Sequence, residues 1–192
     1  LIPGGLTYDE ARERLVIAPR SWEWTGNDWR KPAATSGPSG GISVWDAGRQ
    51  RLVAYGAQGV GGFQTWEFDG KSWELRATLL GPSFGCALAY DAARSQVVLY
   101  GGTGANSTTT WLWDGESWTA GPIGPPFANG TAMAYDPQRG TVLLFGGDDG
   151  AGGSPAPRNE TWEWDGVAWT RLFPLSAPPA RSFHTMVHDP LR

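Results

Sequence analysis

The residues of this chain that could perform chemistry are few and scattered. The two histidines, His184 and His188, are four positions apart, and on an extended strand that spacing separates them by ~13 Å, too far to share a metal ion. Asp148 and Asp149 lie in a glycine-rich segment, but a calcium site needs six to eight oxygen ligands, and the ligand spacing of a known calcium loop is absent. Cys86 alternates with small apolar residues, which indicates a buried, inert thiol. We therefore expect no metal and no cofactor.

The sequence also lacks a recognisable catalytic set. It contains no Ser-His-Asp arrangement, no paired carboxylates and no glycine-rich phosphate loop in a supporting context. The net charge of −4 argues against nucleic acid as a partner, because phosphate binding needs a basic surface. No apolar run reaches the ~18 residues that a membrane span requires. These observations predict a protein that is not an enzyme, with neither a nucleic-acid partner nor a membrane span.

A repeat defines the elements that must position any functional residue. The segment TWEFDGKSW at 65–73 returns as TWLWDGESW at 110–118 and as TWEWDGVAW at 161–169, with a diverged copy, SWEWTGNDW, at 21–29. Each unit of such an array is one supersecondary structure that buries its apolar faces only against its neighbours. The repeat therefore predicts the fold better than it predicts the function.

Each unit contains four short strand signals. A small-residue strand ends in an aromatic residue and Asp, as at 85–91, and a β-branched run then closes on glycine, as at 97–102. The third strand carries Trp-x-(Trp/Phe), whose period of two places both aromatic rings on one face. Asp-Gly follows and predicts a tight hairpin, because glycine accepts a positive φ. The residues expected to be structural are Trp66, Trp73, Trp111, Trp118, Trp162, Trp169, Gly70, Gly115 and Gly166.

A second fixed spacing marks the connection between the first and second strands. The Asp that ends each first strand is followed three residues later by Arg, which predicts one turn geometry in every unit. Asp can cap such a turn by accepting a hydrogen bond from the backbone two residues on. We expect a turn cap and a solvated charge. The pairs are Asp9–Arg12, Asp46–Arg49, Asp91–Arg94, Asp136–Arg139 and Asp189–Arg192.

Units of about 45 residues with four antiparallel strands are blades of a β-propeller. The apolar strand closing on Gly-Gly, the aromatic-Asp step and the closing Trp resemble a kelch repeat of the bacterial type, and the resemblance covers essentially the whole chain. It implies an all-β propeller array in one domain, 1–192. The first unit lacks Gly-Gly, and the second has Gly56-Ala57 in its place. The expected blades are 6–31, 40–76, 85–120 and 130–172, with a further blade beginning at 182–192.

The segment 182–192 is expected to begin a further blade without its other strands, and three explanations for this remain open. The chain could belong to a longer propeller of six or seven blades, it could pair with a second copy, or it could close as a four-bladed ring. An open array exposes apolar blade faces at both ends, which would be an association surface. A homo-oligomer is therefore a second expectation about partners.

The strand order places the variable 2–3 and 4–1 loops at one end of each blade and the tight turns at the other. Because binding residues concentrate on variable loops held by a rigid scaffold, we expect recognition at the loop end. The resemblance implies a non-catalytic binding or scaffold module for a protein or a glycan. The candidate ligand-binding residues are Phe63, Gln64, Phe84, Asn106, Phe127, Asp148, Asp149, Arg158 and Arg181.

Two alternatives to a binding module remain. One is part of a propeller enzyme of the carbohydrate-active or oxidase type, although the Tyr, His and Cys copper ligands of kelch-type oxidases have no recognisable match here. The other is a self-associating structural propeller. A single cysteine leaves the compartment open, with a secreted or periplasmic location slightly favoured over a cytoplasmic one, since many secreted bacterial propellers also lack disulfides.

Overall fold

The computed structural model describes residues 5–18, 22–31, 37–38, 40–57, 62–104, 106–126, 129–149 and 156–189. Within these ranges the chain is all-β: it forms four antiparallel sheets of four strands each, in chain order, and no helix. The prediction of four-stranded antiparallel blades is therefore confirmed. We number the sheets blade 1 to blade 4.

The strand bounds follow the repeat. Blade 1 consists of β1 (Gly5–Asp9), β2 (Arg14–Ala18), β3 (Trp22–Trp24) and β4 (Trp29–Arg30). Blade 2 consists of β5 (Ile42–Asp46), β6 (Arg51–Ala57), β7 (Phe63–Phe68) and β8 (Trp73–Leu79). Blade 3 consists of β9 (Cys86–Asp91), β10 (Gln96–Gly101), β11 (Thr109–Trp113) and β12 (Trp118–Ile123). Blade 4 consists of β13 (Ala132–Asp136), β14 (Thr141–Phe145), β15 (Thr161–Trp164) and β16 (Trp169–Leu172).

The chain forms two compact units, Leu1–Leu80 with blades 1 and 2, and Gly81–Arg192 with blades 3 and 4. In each unit, two blades pack through unlike faces. One face, which we call the aromatic face, carries the rings of the third and fourth strands, and the opposite, small-residue face carries Ala and Val. In the first unit Val16 and Ala18 of blade 1 pack against an aromatic face formed by Trp45, Leu52, Ala54, Trp66, Phe68 and Trp73 of blade 2.

The second unit repeats this arrangement. Ala87, Ala89 and Val98 of blade 3 pack, together with Tyr100, against blade 4. Burial of such apolar surface is the main driving force for stacking, at roughly 25 cal/mol per Å². The contributing residues of blade 4 are Met133, Tyr135, Val142, Leu144, Trp162, Trp164 and Trp169.

In blades 2 to 4 the second aromatic residue of the third strand is fully buried. Phe68, Trp113 and Trp164 have no exposed surface. Each faces the closing Trp across the hairpin, with ring centroids 5.0 Å apart for Phe68–Trp73 and 5.6 Å for Trp164–Trp169. Among the tryptophans expected to be structural, Trp73 is buried, whereas five are half-buried: Trp66, Trp111, Trp118, Trp162 and Trp169.

The Asp-Gly hairpins have the geometry that the sequence predicts. Gly70, Gly115 and Gly166 have φ values of +91°, +104° and +95°. The preceding Asp closes each turn through its side chain, because Oδ1 of Asp114 accepts hydrogen bonds at 2.8 Å from two backbone N–H groups, those of Glu116 and Ser117. The same pattern holds at the other two hairpins.

The connections between first and second strands share one conformation. The residue after Arg adopts a left-handed conformation in all four blades, with φ of +53° at Glu13, +52° at Gln50, +53° at Ser95 and +67° at Gly140. This uniformity matches the prediction of a single Asp-x-x-Arg turn geometry. In the first two blades the Asp accepts the backbone N–H three residues on, with Arg12 N to Asp9 Oδ1 at 3.0 Å.

In blades 1 to 3 the carboxylates of the Asp-x-x-Arg pairs are buried, so the prediction of a solvated charge is wrong there, whereas the side chain of Arg139 in blade 4 is 55% exposed. Asp9, Asp46 and Asp91 are at most 1% exposed. In blade 1 the guanidinium of Arg12 donates to Asp9 Oδ2 at 2.7 Å and also to Glu23 in β3. Burial alone would lower the pKa of Arg12. Hydrogen bonds to Glu23 and Asp9 outweigh this effect and raise the pKa above its ordinary value. The arginine thus ties the first turn of its blade to the third strand.

The same arginine also reaches the next blade of its unit. Arg12 Nη1 donates to the Gly70 carbonyl of blade 2 at 3.4 Å, and its guanidinium lies 5.0 Å from the centre of the Phe68 ring. In the second unit Arg94 donates to the Gly140 carbonyl of blade 4 at 2.9 Å and lies against Gly166. We call this contact, made by Arg12 and Arg94, the arginine clamp.

Residues 173–189 contain no strand. The segment expected to start a further blade, 182–192, is described only as far as 189, and a second strand that would pair with it is not among the described residues. The further blade therefore stays a prediction.

The clamp predicts unequal costs for one substitution at two equivalent glycines. Gly70→Ala and Gly26→Ala both place a methyl group at positive φ, +91° and +103°, which costs about 1–3 kcal/mol each. A Cβ at Gly70 would also lie 2.8 Å from the Cδ and Nε atoms of Arg12, whereas a Cβ at Gly26 would meet nothing within 4 Å among the described residues. We expect Gly70→Ala to lower the free energy of unfolding by about 1–3 kcal/mol more than Gly26→Ala. Urea unfolding at low protein concentration measures the free energy of unfolding of both variants. Equal losses of this free energy would contradict the role of Arg12 at Gly70.

The hairpin carboxylates predict a pH dependence. Two backbone hydrogen bonds hold the pKa of Asp114 below 3.8. Because the folded pKa lies below the unfolded one, the ionised carboxylate contributes stability above about pH 4 that is lost as the pH falls through the lowered pKa. Asp114→Asn keeps a hydrogen-bond acceptor but no charge. The difference in unfolding free energy between wild type and Asp114→Asn should therefore shrink between about pH 5 and pH 2, and a difference independent of pH would disprove this origin.

Candidate functional site

In the second unit, a hydrogen-bonded frame builds the loop end, where the sequence predicts recognition. Successive loops exchange backbone hydrogen bonds, including Gly130 N to Gly85 O at 2.8 Å and Phe183 N to Gly130 O at 2.8 Å. Gly147 N donates to Arg181 O at 2.9 Å, and Arg158 N donates to Gly147 O at 2.9 Å. We call this set the loop frame. Its segments are 83–85, 102–104, 129–131, 146–149, 158–160 and 181–183.

The Gly-Gly pair that ends the second strand of blade 4 makes this close approach possible. Gly146 and Gly147 have φ values of +67° and +97°. A Cβ at Gly147 would lie 2.5 Å from Cγ2 of Thr131, and one at Gly146 would collide with the Arg181 carbonyl. A side chain at either position would therefore push neighbouring loops apart. The glycine pair permits the dense packing of the frame.

Asp148 belongs to the interior of the frame. It is 0% exposed, although the sequence interpretation treated it as an exposed candidate. Its backbone pairs with that of Asn129 in an isolated β-bridge, and Asn129 Nδ2 donates to Asp148 Oδ1 at 2.9 Å. A buried carboxylate needs such donors because desolvation of an unbonded charge is costly. Asp148 therefore holds two loops together.

Four other candidates in this unit lie at the surface to different degrees. Phe84 is 56% exposed, and its carbonyl accepts a hydrogen bond from Thr103 N at 3.0 Å, so the ring projects from a fixed backbone. Asp149 and Arg181 are exposed, and Arg158 is half-buried. The frame thus brings an aromatic ring and charges of both signs onto one set of connected loops.

Asn106 lies in a turn before β11 and is exposed. Its φ is +62°, and its carbonyl accepts the N–H of Thr109 at 3.1 Å. Asn tolerates this left-handed conformation better than most residues, which gives it a local structural role.

The candidates of the first unit lie in a strand. Phe63 and Gln64 were expected in the 2–3 loop, but β7 begins at Phe63. Phe63 stacks on Tyr55 with centroids 5.7 Å apart, and Gln64 Oε1 accepts a hydrogen bond from Trp66 Nε1 at 3.2 Å. Both side chains are half-buried. The remaining candidate, Phe127, lies outside the described residues.

Within the described part of the chain, the chemically reactive residue types do not form a centre. His184 packs edge-on against Phe145 at 5.5 Å, and burial, together with the charge of Arg181, lowers its pKa. Burial raises the pKa of the Cys86 thiol to about 12, so it is protonated at neutral pH. Among the described residues, no group of three or more His, Cys, Asp or Glu could hold a metal ion.

A cavity at the tight-turn end of blade 1 was missed by sequence reasoning. It has a volume of about 390 Å³ and lies between the Asp-x-x-Arg turn and the Gly26 hairpin. The available signal was the divergence of the first repeat, where Thr25 replaces the Asp of the Asp-Gly turn. The residues that line the cavity are Tyr8, Arg12, Glu13, Arg14, Leu15, Trp24, Thr25 and Gly26.

Comparison with known proteins identifies the fold and goes no further. No protein-family model matches the chain, and no curated protein matches it. Among solved structures, the chain is similar to YjhT, with a TM-score of 0.68 and 12% sequence identity over 96% of this chain and 69% of that chain. YjhT has a propeller-like fold. At this identity the likeness shows a β-propeller architecture alone.

One further negative finding concerns membranes. Across the part of the chain that the structure describes, no helix has the length and apolar character needed to cross a bilayer.

The interior position of Asp148 predicts a local stability effect. Asn129→Ala removes a donor to the buried Asp148 carboxylate, and we expect it to cost about 1–3 kcal/mol of unfolding free energy. Asn159→Ala is the matched control because Asn159 is exposed, and it should cost less than about 0.5 kcal/mol. Thermal and urea unfolding of both variants test this. Equal losses of unfolding free energy in the two variants would show that the hydrogen bond between Asn129 and Asp148 does not stabilise the loop frame.

Proposed function

We propose that this chain is a non-catalytic binding module whose blades are kelch repeats of the bacterial type. It recognises a protein or a glycan through the 2–3 and 4–1 loops. The propeller architecture supports a binding or scaffold role in general. The repeat pattern, with Gly-Gly after the second strand and an Asp-Gly hairpin before the closing Trp, supports the kelch assignment.

One observation supports the loop end most strongly. Phe84, Asp149 and Arg181 are exposed on loops whose backbones are tied to one another by hydrogen bonds. A fixed backbone lowers the entropy lost when a ligand orders the surface, so exposed side chains on it are effective anchors. An aromatic ring on such a surface can stack on a sugar ring or pack in a protein interface, and charges of both signs can add polar contacts.

The tight-turn end is a poorer recognition surface. Its recurring charges are engaged within the blades, as with Arg49, which bonds both Asp46 and Glu67. The Asp-Gly hairpins vary little between units, whereas the loop end varies in length and composition. Variation on a rigid scaffold is the usual basis of specificity.

The test is a glycan array and an affinity pull-down with the whole chain, followed by titration of each hit with variants. Phe84→Ala and Arg181→Ala should each weaken binding about tenfold or more, since interface anchors of these types contribute over 1 kcal/mol. Lys71→Ala, an exposed position in a tight turn, is the control and should bind as wild type. Loss of binding in the control with retention in the two loop variants would refute the proposed face.

A further inference from the structure

Residues 181–184, which we call the strap, are bonded to the loops of blade 4 and form one edge of the loop frame. Gly147 N donates a hydrogen bond to Arg181 O at 2.9 Å. Phe183 N donates another to Gly130 O at 2.8 Å. Backbone contacts therefore hold the strap in place, whereas two of its side chains oppose this docking.

The first unfavourable side chain of the strap is that of Phe183, which takes the place of a glycine. Gly130 N donates to Gly85 O as Phe183 N donates to Gly130 O, so these three residues occupy equivalent positions. The φ values of Gly85, Gly130 and Phe183 are +82°, +65° and +55°. Glycine adopts this left-handed conformation readily, whereas a bulky residue is strained there. The strain at Phe183 weakens the docking of the strap.

The second unfavourable side chain is that of His184, since the equivalent positions hold the smaller residues Cys86 and Thr131. The imidazole packs edge-on against Phe145, with ring centroids 5.5 Å apart, and a Cβ on Gly146 would lie 3.0 Å from its Cε1 atom. Both ring nitrogens are buried, and neither has a hydrogen-bond partner among the described residues. A neutral imidazole has one donor and one acceptor, so both groups are left unsatisfied, which is costly.

The surroundings of the imidazole suit its neutral form better than its protonated form. Two carbonyl oxygens lie beside Gly146 together with the ring, those of Arg181 and Arg158. Each already accepts a backbone hydrogen bond, from Gly147 N at 2.9 Å and from Arg181 N at 3.1 Å respectively. Protonation of His184 would turn its acceptor nitrogen into a second donor and place a positive charge in a desolvated position. Burial of a charge without compensating contacts is costly.

The charged groups around the ring do not favour its protonation. Asp148 accepts a hydrogen bond from Asn129, and the Glu160 carboxylate accepts one from an indole N–H. Burial, together with the positive charge of Arg181, lowers the pKa of His184 from its ordinary value of 6.5, so the carboxylates nearby do not compensate for these two effects. The charged residues on the strap and on the loops packed against it are Arg181, Asp148, Asp149, Arg158 and Glu160.

We propose that the strap is a pH-sensitive element, which is docked on the loops of blade 4 when His184 is neutral and is released when His184 is protonated. The released imidazole has the ordinary pKa and the docked one a lower pKa. Docking is therefore strongest above about pH 6.5 and weakens as the pH falls from there through the lowered pKa. Release also displaces Arg181 from the loop end, but the proposal requires no ligand and is independent of the proposed function.

Amide hydrogen exchange followed by NMR tests the proposal on the whole chain. The amides of Arg181 and Phe183 report docking of the strap, because they donate to the carbonyls of Arg158 and Gly130. After correction for intrinsic exchange, their protection factors should fall about threefold or more between about pH 7.5 and pH 5. Amides of β10 in blade 3 should keep their protection, which distinguishes release of the strap from global unfolding. In the same samples the imidazole of His184 should titrate with a pKa below 6.5.

Three variants identify the titrating group. His184→Gln and His184→Thr both remove the ionisable ring, and threonine is the residue at the equivalent position of blade 4. In either variant the protection of the strap amides should no longer depend on pH over this range. His188→Thr is the matched control, because it removes the other histidine of the chain and should retain the wild-type pH dependence.

Four outcomes would each overturn the proposal. The first is wild-type protection of the strap amides that does not change with pH, and the second is a His184 imidazole that titrates with a pKa at or above 6.5. The third is a pH dependence that survives in the His184 variants. The fourth is a pH dependence that disappears in His188→Thr, since the titrating group would then be His188.

Discussion

Burial of apolar surface drives the stacking of blades in each unit, and the arginine clamp is the polar contact that links the stacked blades. Its carboxylate partners are buried, since Asp9 and Glu23 are 1% and 6% exposed, and the guanidinium supplies hydrogen bonds that offset their desolvation. The same cation then reaches the neighbouring blade at Gly70. A local turn signal, a strand position and an interblade contact are therefore coupled through one side chain. This coupling explains why the turn repeats with fixed spacing.

The clamp also explains why the hairpin position must be glycine for two separate reasons. The positive φ of Gly70 disfavours other residues, and the side chain of Arg12 occupies the space where a Cβ would lie. In blade 3 the arginine clamp forms without an equivalent of Glu23. Leu112 stands where Glu23 stands in blade 1, and it packs in the apolar core, while Arg94 bonds Asp91 and the Gly140 carbonyl.

Sequence patterns predicted the strands, the hairpins and the uniform turns because these depend on local spacing. The indole of the closing Trp and the glycine of Asp-Gly recur at fixed positions, so their environment could be inferred from the repeat. The burial of Asp148 could not, because it results from pairing with Asn129, nineteen residues away in a different loop. Phe63 was assigned to a loop since strand ends carry no marker as strong as the Asp-Gly hairpin. The cavity at Gly26 was missed because the divergence of the first repeat at Thr25 indicates a different turn but does not show the space beside it.

The tight-turn end and the loop end of the blades are stabilised by different contacts, and this difference bears on where a ligand could bind. At the tight-turn end, an Asp–Arg pair recurs in each of the four blades, so that these charges are engaged within the blades. At the loop end of the second unit, the backbone hydrogen bonds of the frame support side chains that differ from loop to loop, such as Phe84 and Arg181. A surface stabilised by backbone contacts can change its side chains without losing its shape. This difference is the reason for proposing recognition of an unrelated ligand at the loop end.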